Sequence, residues 1–451
     1  MNKKYEVDMT SGKLFGKIVF FALPLIASGI LQLLYNAADI IVIGQFSGEA
    51  SLAAVGSTGS LINLITNIFI GLSVGANIVV SRFYGAKNND VVSRAVQTSI
   101  LISIISGLAI GVFGFVFSNT FLAWMGTPET VIDKATTYIQ IYFIGMPASM
   151  VFNFGSSIMR AVGDTKRPLY YLSFAGIINI ILNLLFVIVF HMDVAGVAYA
   201  TIISQYISAL LVLRCLIKEK NCIHLDIKKL HIYKNELFAI AKIGIPAGIQ
   251  GSVFSISNVA IQSSINAFGQ TAIAGGTASA SIENFIYTSM NSISQTSTTF
   301  VGQNYGARNY KRMKTSFAYC MVIVIAVGLV MGFSAHFFSA PLLGIYNKDP
   351  NVIAFGMERI AVICTSYCLC GILEVIVGML RGMGYSLSPT LMTIGGVCVF
   401  RIVWIYTYFK ENHTLFNLYL SYPISWIITT LGLLVCLLFA MKKVKSILTP
   451  Q

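Results

Sequence analysis

The chain has 451 residues, of which 56% are hydrophobic and only 10% are charged, and its formal net charge is +13. A soluble protein of this size needs far more charge on its surface, so the composition excludes one and indicates a protein surrounded by a lipid bilayer. Nucleic acid is not expected as a partner either, because Lys and Arg fall in short clusters between apolar runs and not along one face.

Apolar runs of twenty or more residues recur along the chain, and each is long enough to cross a bilayer as a helix. The predicted fold class is therefore an all-α polytopic membrane protein with twelve transmembrane helices. The predicted spans are residues 15–44, 51–80, 93–118, 131–156, 168–190, 195–217, 237–268, 272–301, 314–338, 352–379, 386–409 and 416–440.

Basic residues fix the predicted orientation of these spans. If the amino terminus is cytoplasmic, 25 of the 30 Lys and Arg residues fall on the cytoplasmic side. Since cytoplasmic loops of membrane proteins carry the excess of Lys and Arg, both termini are predicted to be cytoplasmic. We expect a multi-pass protein of the cell membrane, in the inner membrane of a bacterium.

A single long hydrophilic segment divides the spans into two groups of six. We predict an amino-terminal six-helix bundle over residues 1–217, a cytoplasmic linker over 218–235 that bridges the halves, and a carboxy-terminal six-helix bundle over 236–451.

An internal repeat supports this division. The segment RFYGAKNN at 82–89 returns as QNYGARNY at 303–310, and MRAVGDTKRP at 159–168 returns as LRGMGYSLSP at 380–389, in each case 221 residues later. Because six is an even number, both halves enter the membrane from the same side, which predicts a parallel repeat of two bundles around a central cleft. This architecture is typical of an alternating-access transporter.

The first span contains a carboxylate, Asp39, and a charge inside a membrane helix normally marks an ion or substrate path, at a cost of roughly 2.5 to 3.5 kcal/mol. Gln32 and Tyr35 share its helix face. Pro24 lies two turns before Gln32 and removes a backbone donor, so we expect a helix bend or break there, and Pro246 stands at the corresponding place in the second half. The alternative is an aspartate that only packs helices together.

No enzymatic motif is present. The sequence has no HExxH, no Walker loop and no Ser/His/Asp or Cys/His arrangement that must converge. We predict that the protein is not an enzyme, uses no cofactor and is driven by an ion gradient and not by ATP.

From about residue 12 to 440 the chain resembles the multidrug and toxic compound extrusion (MATE) family. The matching motifs are ALPLIASGILQLLYNAADIIVIGQ in the first span, VGQNYGARN after the eighth, and MRAVGDT and LRGMGYS after the fourth and tenth. The resemblance implies an antiporter that exports small organic, often cationic, compounds in exchange for protons or sodium ions. We expect a monomer.

The resemblance also implies a cation-coupling site at Asp39, Asn179, Asn183 and Thr201, with Gln32 and Tyr35 lining the adjacent cavity. A depth estimate agrees, because Asp39, Asn183 and Thr201 each fall roughly 10 Å below the outer surface at about 1.5 Å per residue. Amide, hydroxyl and carboxylate oxygens also suit a hard cation such as Na⁺.

Many members of the family have a second carboxylate where this chain has Asn183. With Asp39 as the single charge, burial favours its neutral, protonated form, so we favour protons over sodium as the coupling ion.

The carboxy-terminal half supplies two further candidate acids within predicted spans, Glu283 and Glu374. Either could bind a cationic substrate or carry a second proton; Glu374 could instead pair with Arg381 on the same face. A cavity for flat hydrophobic cations could be lined by ring faces and thioethers, although such residues more often only pack. These candidates are Tyr138, Tyr142, Met146, Tyr287 and Met290.

Three other functions are alternatives to an antiporter. A lipid-linked oligosaccharide flippase of the same superfamily would need a cationic cavity, whereas the intramembrane charges here are mainly acidic. An integral-membrane enzyme would need convergent catalytic groups near one surface, and the sequence shows none. A channel would lack the strict stoichiometry with which an antiporter exchanges substrate for ions.

Overall fold

The computed structural model describes residues 6–448, apart from the side chains of Glu49, Ser57 and Ser60, and this part of the chain consists of helices joined by turns and loops, with no strand. Segments in lipid must satisfy their backbone polar groups internally, which explains why each apolar run forms a helix. The predicted all-α class is confirmed.

The amino-terminal half contains seven helices. A π-helical turn, Leu185–Val189, follows the sixth, and a short 3-10 turn, Ile227–Lys229, lies in the linker. The helices are α1 (Leu14–Phe46), α2 (Glu49–Gly85), α3 (Asn89–Trp124), α4 (Glu129–Ile144), α5 (Met146–Ala161), α6 (Lys166–Leu184) and α7 (Asp193–Lys218).

The carboxy-terminal half contains ten helices, several of them short, and a π-helical segment, Ile394–Val399. They are α8 (Lys234–Asn266), α9 (Gln270–Gly306), α10 (Tyr310–Phe337), α11 (Ser339–Gly344), α12 (Pro350–Ile363), α13 (Tyr367–Gly382), α14 (Leu387–Thr393), α15 (Phe400–Tyr406), α16 (Tyr408–Glu411) and α17 (Leu415–Leu448).

Eleven of the twelve predicted spans match helices that are long and apolar enough to cross a membrane: nine single spans and two bent helix pairs in the described chain. The remaining span, 272–301, corresponds to α9, which has 37 residues but is rich in Ser, Thr, Gly and Asn. Many of its residues, from Ala272 to Asn304, are buried against other helices. Because α9 has limited contact with lipid, it can be more polar than the other spans.

The described chain forms two compact units. The first unit comprises residues 6–8 and Leu23–Ser252, and the second comprises Met9–Ala22 and residues 253–448. These bounds differ from the predicted 1–217 and 236–451, because the start of α1 packs with the second unit and most of α8 with the first. The linker also packs on the first unit, where the backbone N–H of Tyr233 donates to Thr98 Oγ1 at 3.1 Å. The domain boundaries inferred from the repeat stay a prediction.

The two halves use the same local geometry 221 residues apart. Helices α2 and α9 begin and end at this offset. Lys87 and Arg308, in the YGAK and YGAR turns, both have positive φ, at 58° and 54°. Asn88 and Asn309 then cap the next helix, accepting a hydrogen bond from the backbone N–H three residues on. Equal turns and caps at equal spacing agree with a duplicated fold.

The sharp breaks in the spans do not lie at the prolines that we singled out. Both α1 and α8 continue through Pro24 and Pro246 as single helices. Instead, α4 meets α5 at 47° around Gly145, and α12 meets α13 at 48° across residues 364–366. The structure therefore has no break at Pro24 or Pro246, and a change of bend at either proline stays a prediction.

Candidate functional site

Asp39 lies on α1 in the first unit, with 8% of its surface exposed. Its Oδ1 accepts a hydrogen bond from Asn183 Nδ2 at 2.5 Å, and its Oδ2 lies 3.3 Å from Thr201 Oγ1. Val42 and Ile43, one turn on, belong to an apolar cluster built from α1 to α5, α7 and the π-helical turn. The carboxylate is thus held at the edge of an apolar core by two neutral polar groups.

Helix α6 supplies two amides to this site from one face. Asn179 and Asn183 are one turn apart, and Asn183 Nδ2 also lies 3.3 Å from Asn179 Oδ1. Both side chains are buried, with 4% and 0% exposed. The structure therefore brings together the four residues that the resemblance implied, and their role in cation coupling stays a prediction.

Thr201 has two acceptors but only one hydroxyl hydrogen. Its Oγ1 lies 2.9 Å from the carbonyl oxygen of Val197 and 3.3 Å from Asp39 Oδ2. When the hydroxyl donates to Val197, a protonated Asp39 can donate to the Thr201 oxygen; when Asp39 is ionised, the hydroxyl can donate to it instead. The arrangement can serve both protonation states without moving a backbone atom.

The same donor set can be tested against a sodium ion. Asn183 Oδ1 is buried with no hydrogen-bond partner among the described residues, while its Nδ2 faces the carboxylate. A cation at Asp39 requires the amide to turn so that Oδ1 joins the carboxylate, Asn179 Oδ1 and Thr201 Oγ1 as ligands. Across the described residues, no group of three or more His, Cys, Asp or Glu side chains could hold a metal. A sodium site here would therefore depend on neutral oxygens around one charge.

Tyr35 is half-buried against α6, where its hydroxyl donates to the carbonyl oxygen of Ser173 at 3.4 Å. Its ring occupies the space that a side chain at Gly176 would need, since a Cβ there would lie 1.8 Å from Tyr35 Cζ. Gln32, one turn earlier, is exposed. Of the two predicted cavity residues, only Tyr35 is thus fixed to the helix that carries the site amides.

Three predicted substrate residues lie at the apolar cluster. Tyr138 and Met146 are buried, with 6% and 1% exposed, and Tyr142 packs against the cluster. The rings of Tyr138 and Tyr142 are stacked with centroids 6.1 Å apart. Met146 packs in this cluster, and a role in substrate binding stays a prediction for all three residues.

In the second unit, Glu283 on α9 is paired with an arginine that the sequence reading did not assign to any site. Arg359 Nε and Nη2 donate to the two carboxylate oxygens at 2.7 and 3.0 Å, and both side chains are buried. Such a bidentate pair leaves Glu283 little negative charge for a cationic substrate. A signal was present in the sequence, because Arg359 lies inside a predicted span and so needs a partner.

Glu374 on α13 differs from Glu283. It is 8% exposed, and no ion pair within the described chain involves its carboxylate. Its carbonyl oxygen accepts from Ser294 Oγ at 2.7 Å, which fixes α13 to α9. The proposed pairing of Glu374 with Arg381 is not seen as a salt bridge. Of the two predicted substrate acids of this unit, Glu374 is thus the one without a salt bridge among the described residues.

The last two predicted substrate residues lie on α9. Met290 is fully buried, and a Cβ at Gly328 or Gly371 would lie within 3 Å of its thioether end. Met290 therefore fills the space that these glycines leave, and its role in substrate binding stays a prediction. Tyr287 is 40% exposed and remains available to a ligand.

Duplicated halves of membrane-spanning helices, with a buried carboxylate set among amides and a hydroxyl, define a membrane transporter of two-fold repeated design. The MatE family model matches residues 24–185 and again residues 246–407. The chain therefore belongs to the multidrug and toxic compound extrusion family, whose members are multi-pass membrane transporters and not enzymes. The family and the absence of enzymatic function predicted from the sequence are confirmed.

Curated relatives agree with this assignment. The "Probable multidrug resistance protein YpnP" of Bacillus subtilis is 30% identical over 396 residues, which cover 87% of this chain and 88% of that protein. The "Probable multidrug resistance protein YoeA" of the same organism is 26% identical over 420 residues, covering 91% and 90%.

A solved structure described as an outward-facing conformation of a multidrug resistance MATE family transporter of the MOP superfamily has a TM-score of 0.89 to this chain. The two are 22% identical and match over 98% of each chain. At this identity the likeness establishes the fold.

Proposed function

We propose that the protein is a proton- or sodium-coupled antiporter that exports small organic compounds, mainly cationic ones, by alternating access. The observation that carries this proposal is the buried carboxylate of Asp39, held by Asn183 and Thr201. A charge in a membrane span persists only where it has a function or a partner, and here its partners are neutral. Names of relatives that refer to multidrug resistance support the class of cargo.

The proposed coupling depends on two hydrogen-bond patterns at Asp39. The ionised carboxylate accepts from Asn183 and Thr201, whereas the protonated carboxyl donates to Thr201, which then donates to Val197. A coupling ion acts only through its different affinity for the inward-open and outward-open states. We propose that each pattern stabilises one of these states.

Helix α1 is the element that would respond. Pro24 has no backbone N–H to donate to the preceding turn of α1, which weakens the helix at this point. Ser28 Oγ donates to the Pro24 carbonyl oxygen at 2.8 Å. Pro24 and Asp39 lie on the same helix, so a change of charge at Asp39 could change the bend at Pro24. The corresponding proposal for the second half concerns Pro246 in α8.

Protons are favoured over sodium as the coupling ion. The site has one negative charge, and Asn183 turns a donor towards it. A proton needs no change of the amide, whereas a sodium ion needs the amide reversed to offer Oδ1.

A cationic substrate has one clear candidate partner in the second unit. Glu374 is buried without an ion pair among the described side chains, while Glu283 is neutralised by Arg359. We propose that Glu374 contacts the cationic group, with the exposed ring of Tyr287 as a possible apolar surface for the substrate. Gln32, Tyr35 and Tyr142 are proposed to contact substrate in the first unit.

The distribution of basic residues supports a cell-membrane protein with both termini in the cytoplasm. We propose that it acts as a monomer in a bacterial inner membrane, since each chain contains both repeats.

Transport in proteoliposomes tests the proposal. A fluorescent organic cation should move when a pH gradient or a sodium gradient is imposed, and Asp39→Asn should abolish the gradient-driven part. Asp133→Asn makes the same change at an exposed position of α4 and should transport normally. Undiminished gradient-driven transport by Asp39→Asn would exclude the proposed role of Asp39, and uptake only under a sodium gradient would overturn the preference for protons.

A further inference from the structure

A second arginine of the carboxy-terminal unit is buried in a different environment from Arg359. Arg401 lies on α15 directly after the π-helical segment and is 3% exposed. Its Nε donates to Ser425 Oγ on α17 at 3.1 Å, and Ser425 Oγ donates in turn to the Tyr422 carbonyl oxygen at 2.7 Å. The guanidinium carbon lies 3.9 Å from the centroid of the Tyr422 ring. These contacts fix the plane of the guanidinium group.

Arg401 and Arg359 differ in what neutralises their charge. Arg359 has the bidentate carboxylate of Glu283 and a ring, Tyr419, at 5.6 Å. Arg401 has the rings of Tyr422 and Trp426 but no carboxylate within salt-bridge distance in the described chain. Its Nη1 and Nη2 also form no hydrogen bond to a described residue, so two donor groups that could bind a carboxylate remain available.

Aromatic rings continue from the arginine towards α13. Trp426 lies 5.9 Å from Tyr422 and 5.3 Å from Tyr367, between ring centroids. Tyr367 and Trp426 are buried, with 7% and 5% exposed. The flat ring of a ligand could stack on these aromatic side chains while a charged group on the same ligand reaches the guanidinium of Arg401.

We propose that Arg401, Ser425, Tyr422 and Trp426 form a binding site for planar aromatic compounds that carry an anionic oxygen group, a carboxylate or a phosphate. The planar fork of Arg401 binds the oxygens, Ser425 holds the fork in place, and the rings bind the aromatic part. The site extends the proposed transport function, because it adds an anion-binding group to a unit in which we proposed a cation-binding one at Glu374.

The two groups are compatible with one substrate. Tyr367, beside Trp426, and Glu374 share a face of α13 and are two turns apart, about 10 Å along the helix axis. A compound with a cationic and an anionic end could therefore contact both Glu374 and Arg401.

Equilibrium binding to the purified full-length protein in detergent tests this site without requiring transport. The probes are 2-naphthoate, 2-naphthyl phosphate and 2-naphthylmethylamine, which share a ring system and differ in charge. Binding is measured by isothermal titration calorimetry, and the heat measured with empty micelles is subtracted. The wild-type protein should bind the carboxylate or the phosphate. Arg401→Gln should weaken that binding about tenfold or more, because a charged hydrogen-bonded pair is lost.

Three variants separate anion binding from stability. Arg401→Lys keeps the charge but loses the planar fork, so it should fold and bind the anion severalfold more weakly than wild type. Lys410→Gln removes the same charge from an exposed residue of α16 and should leave binding unchanged. Trp426→Leu should weaken the aromatic anions but not change the preference for anions over the amine.

The outcomes are distinct. The proposal would be overturned if the wild-type protein bound the anions and the amine with equal affinity. It would also be overturned if Arg401→Gln and Arg401→Lys lowered the affinity for all probes equally, because Arg401 would then be structural. Octanoate that competes as well as naphthoate would overturn the aromatic part. If naphthoate binds more tightly than naphthyl phosphate, the anionic group that the site prefers is a carboxylate. The reverse order of affinities indicates a phosphate. Because no gradient is used, these results stand even if ion coupling at Asp39 fails its own test.

Discussion

The amide nitrogen of Asn183 lies 2.5 Å from one carboxylate oxygen of Asp39, although the two residues are 144 positions apart in the chain. A donor at this position stabilises a single negative charge inside the first unit. The same position is where other members of the family have a second carboxylate, so the identity of residue 183 is expected to decide which cation the site accepts.

Asn183→Asp should shift the coupling from protons towards sodium. The change removes the donor and puts two carboxylates next to each other, so that one of them is held protonated unless a metal cation lies between them. Uptake into proteoliposomes under a sodium gradient at constant pH measures the effect. Asn183→Leu, which adds no charge, serves as the control, and a sodium response that is the same in both variants would contradict the prediction.

Thr201→Val should reduce gradient-driven transport by about tenfold, because the hydroxyl is the group that can serve either protonation state of Asp39. Thr201→Ser keeps the hydroxyl and should retain most of the activity. Initial rates are compared at equal protein density in proteoliposomes. Equal rates for the Val and Ser variants would show that the 3.3 Å contact between Thr201 and Asp39 has no part in transport.

Breaking the Glu283–Arg359 pair should destabilise the protein. Glu283→Gln or Arg359→Gln alone leaves a buried charge without a partner, at a cost of roughly 3–5 kcal/mol, whereas Glu283→Leu combined with Arg359→Met removes both charges and should cost much less. Thermal unfolding in detergent measures the order of stability. Glu411→Gln, an exposed acid on α16, should have no effect, and a double variant as unstable as the single ones would contradict the prediction.

Gly176→Ala should disturb Tyr35, whose ring occupies the place of the added methyl group. Overpacking of this kind costs about 1–3 kcal/mol, so unfolding in detergent should occur at lower temperature. Combining the change with Tyr35→Ala should restore part of the stability. Gly56→Ala is the matched control, since nothing lies within 4 Å of a Cβ there.

The sequence predicted the fold because its signals are local and repeated. Apolar run length predicted the spans, and a nearly constant offset of about 221 residues predicted the duplication, which the two matches of the family model confirm. The span that corresponds to α9 was predicted in the same way, although its hydropathy is lower than that of the other spans.

The sequence was less informative where two distant residues meet. Glu283 and Arg359 are 76 positions apart on different helices, and their pairing depends on how α12 packs on α9. Arg401 was likewise counted only as a charge in the topology, since its contacts come from α17. By contrast, the residues around Asp39 could be named in advance, because the resemblance to the family implied them and a depth estimate placed Asp39, Asn183 and Thr201 at the same level of the membrane.

The matching breaks at α4/α5 and α12/α13 show what holds a bent span in shape. A Cβ at Gly107 would lie 2.5 Å from Pro147 Cα in the first half, and a Cβ at Gly328 would lie 2.8 Å from Cys368 Cα at the same place in the second. The two bends differ by one degree although only one has a proline. A bent span thus needs a neighbouring helix that has no side chain at the point of contact, so a methyl group added at residue 107 or 328 would push the two helices apart whether or not a proline is present.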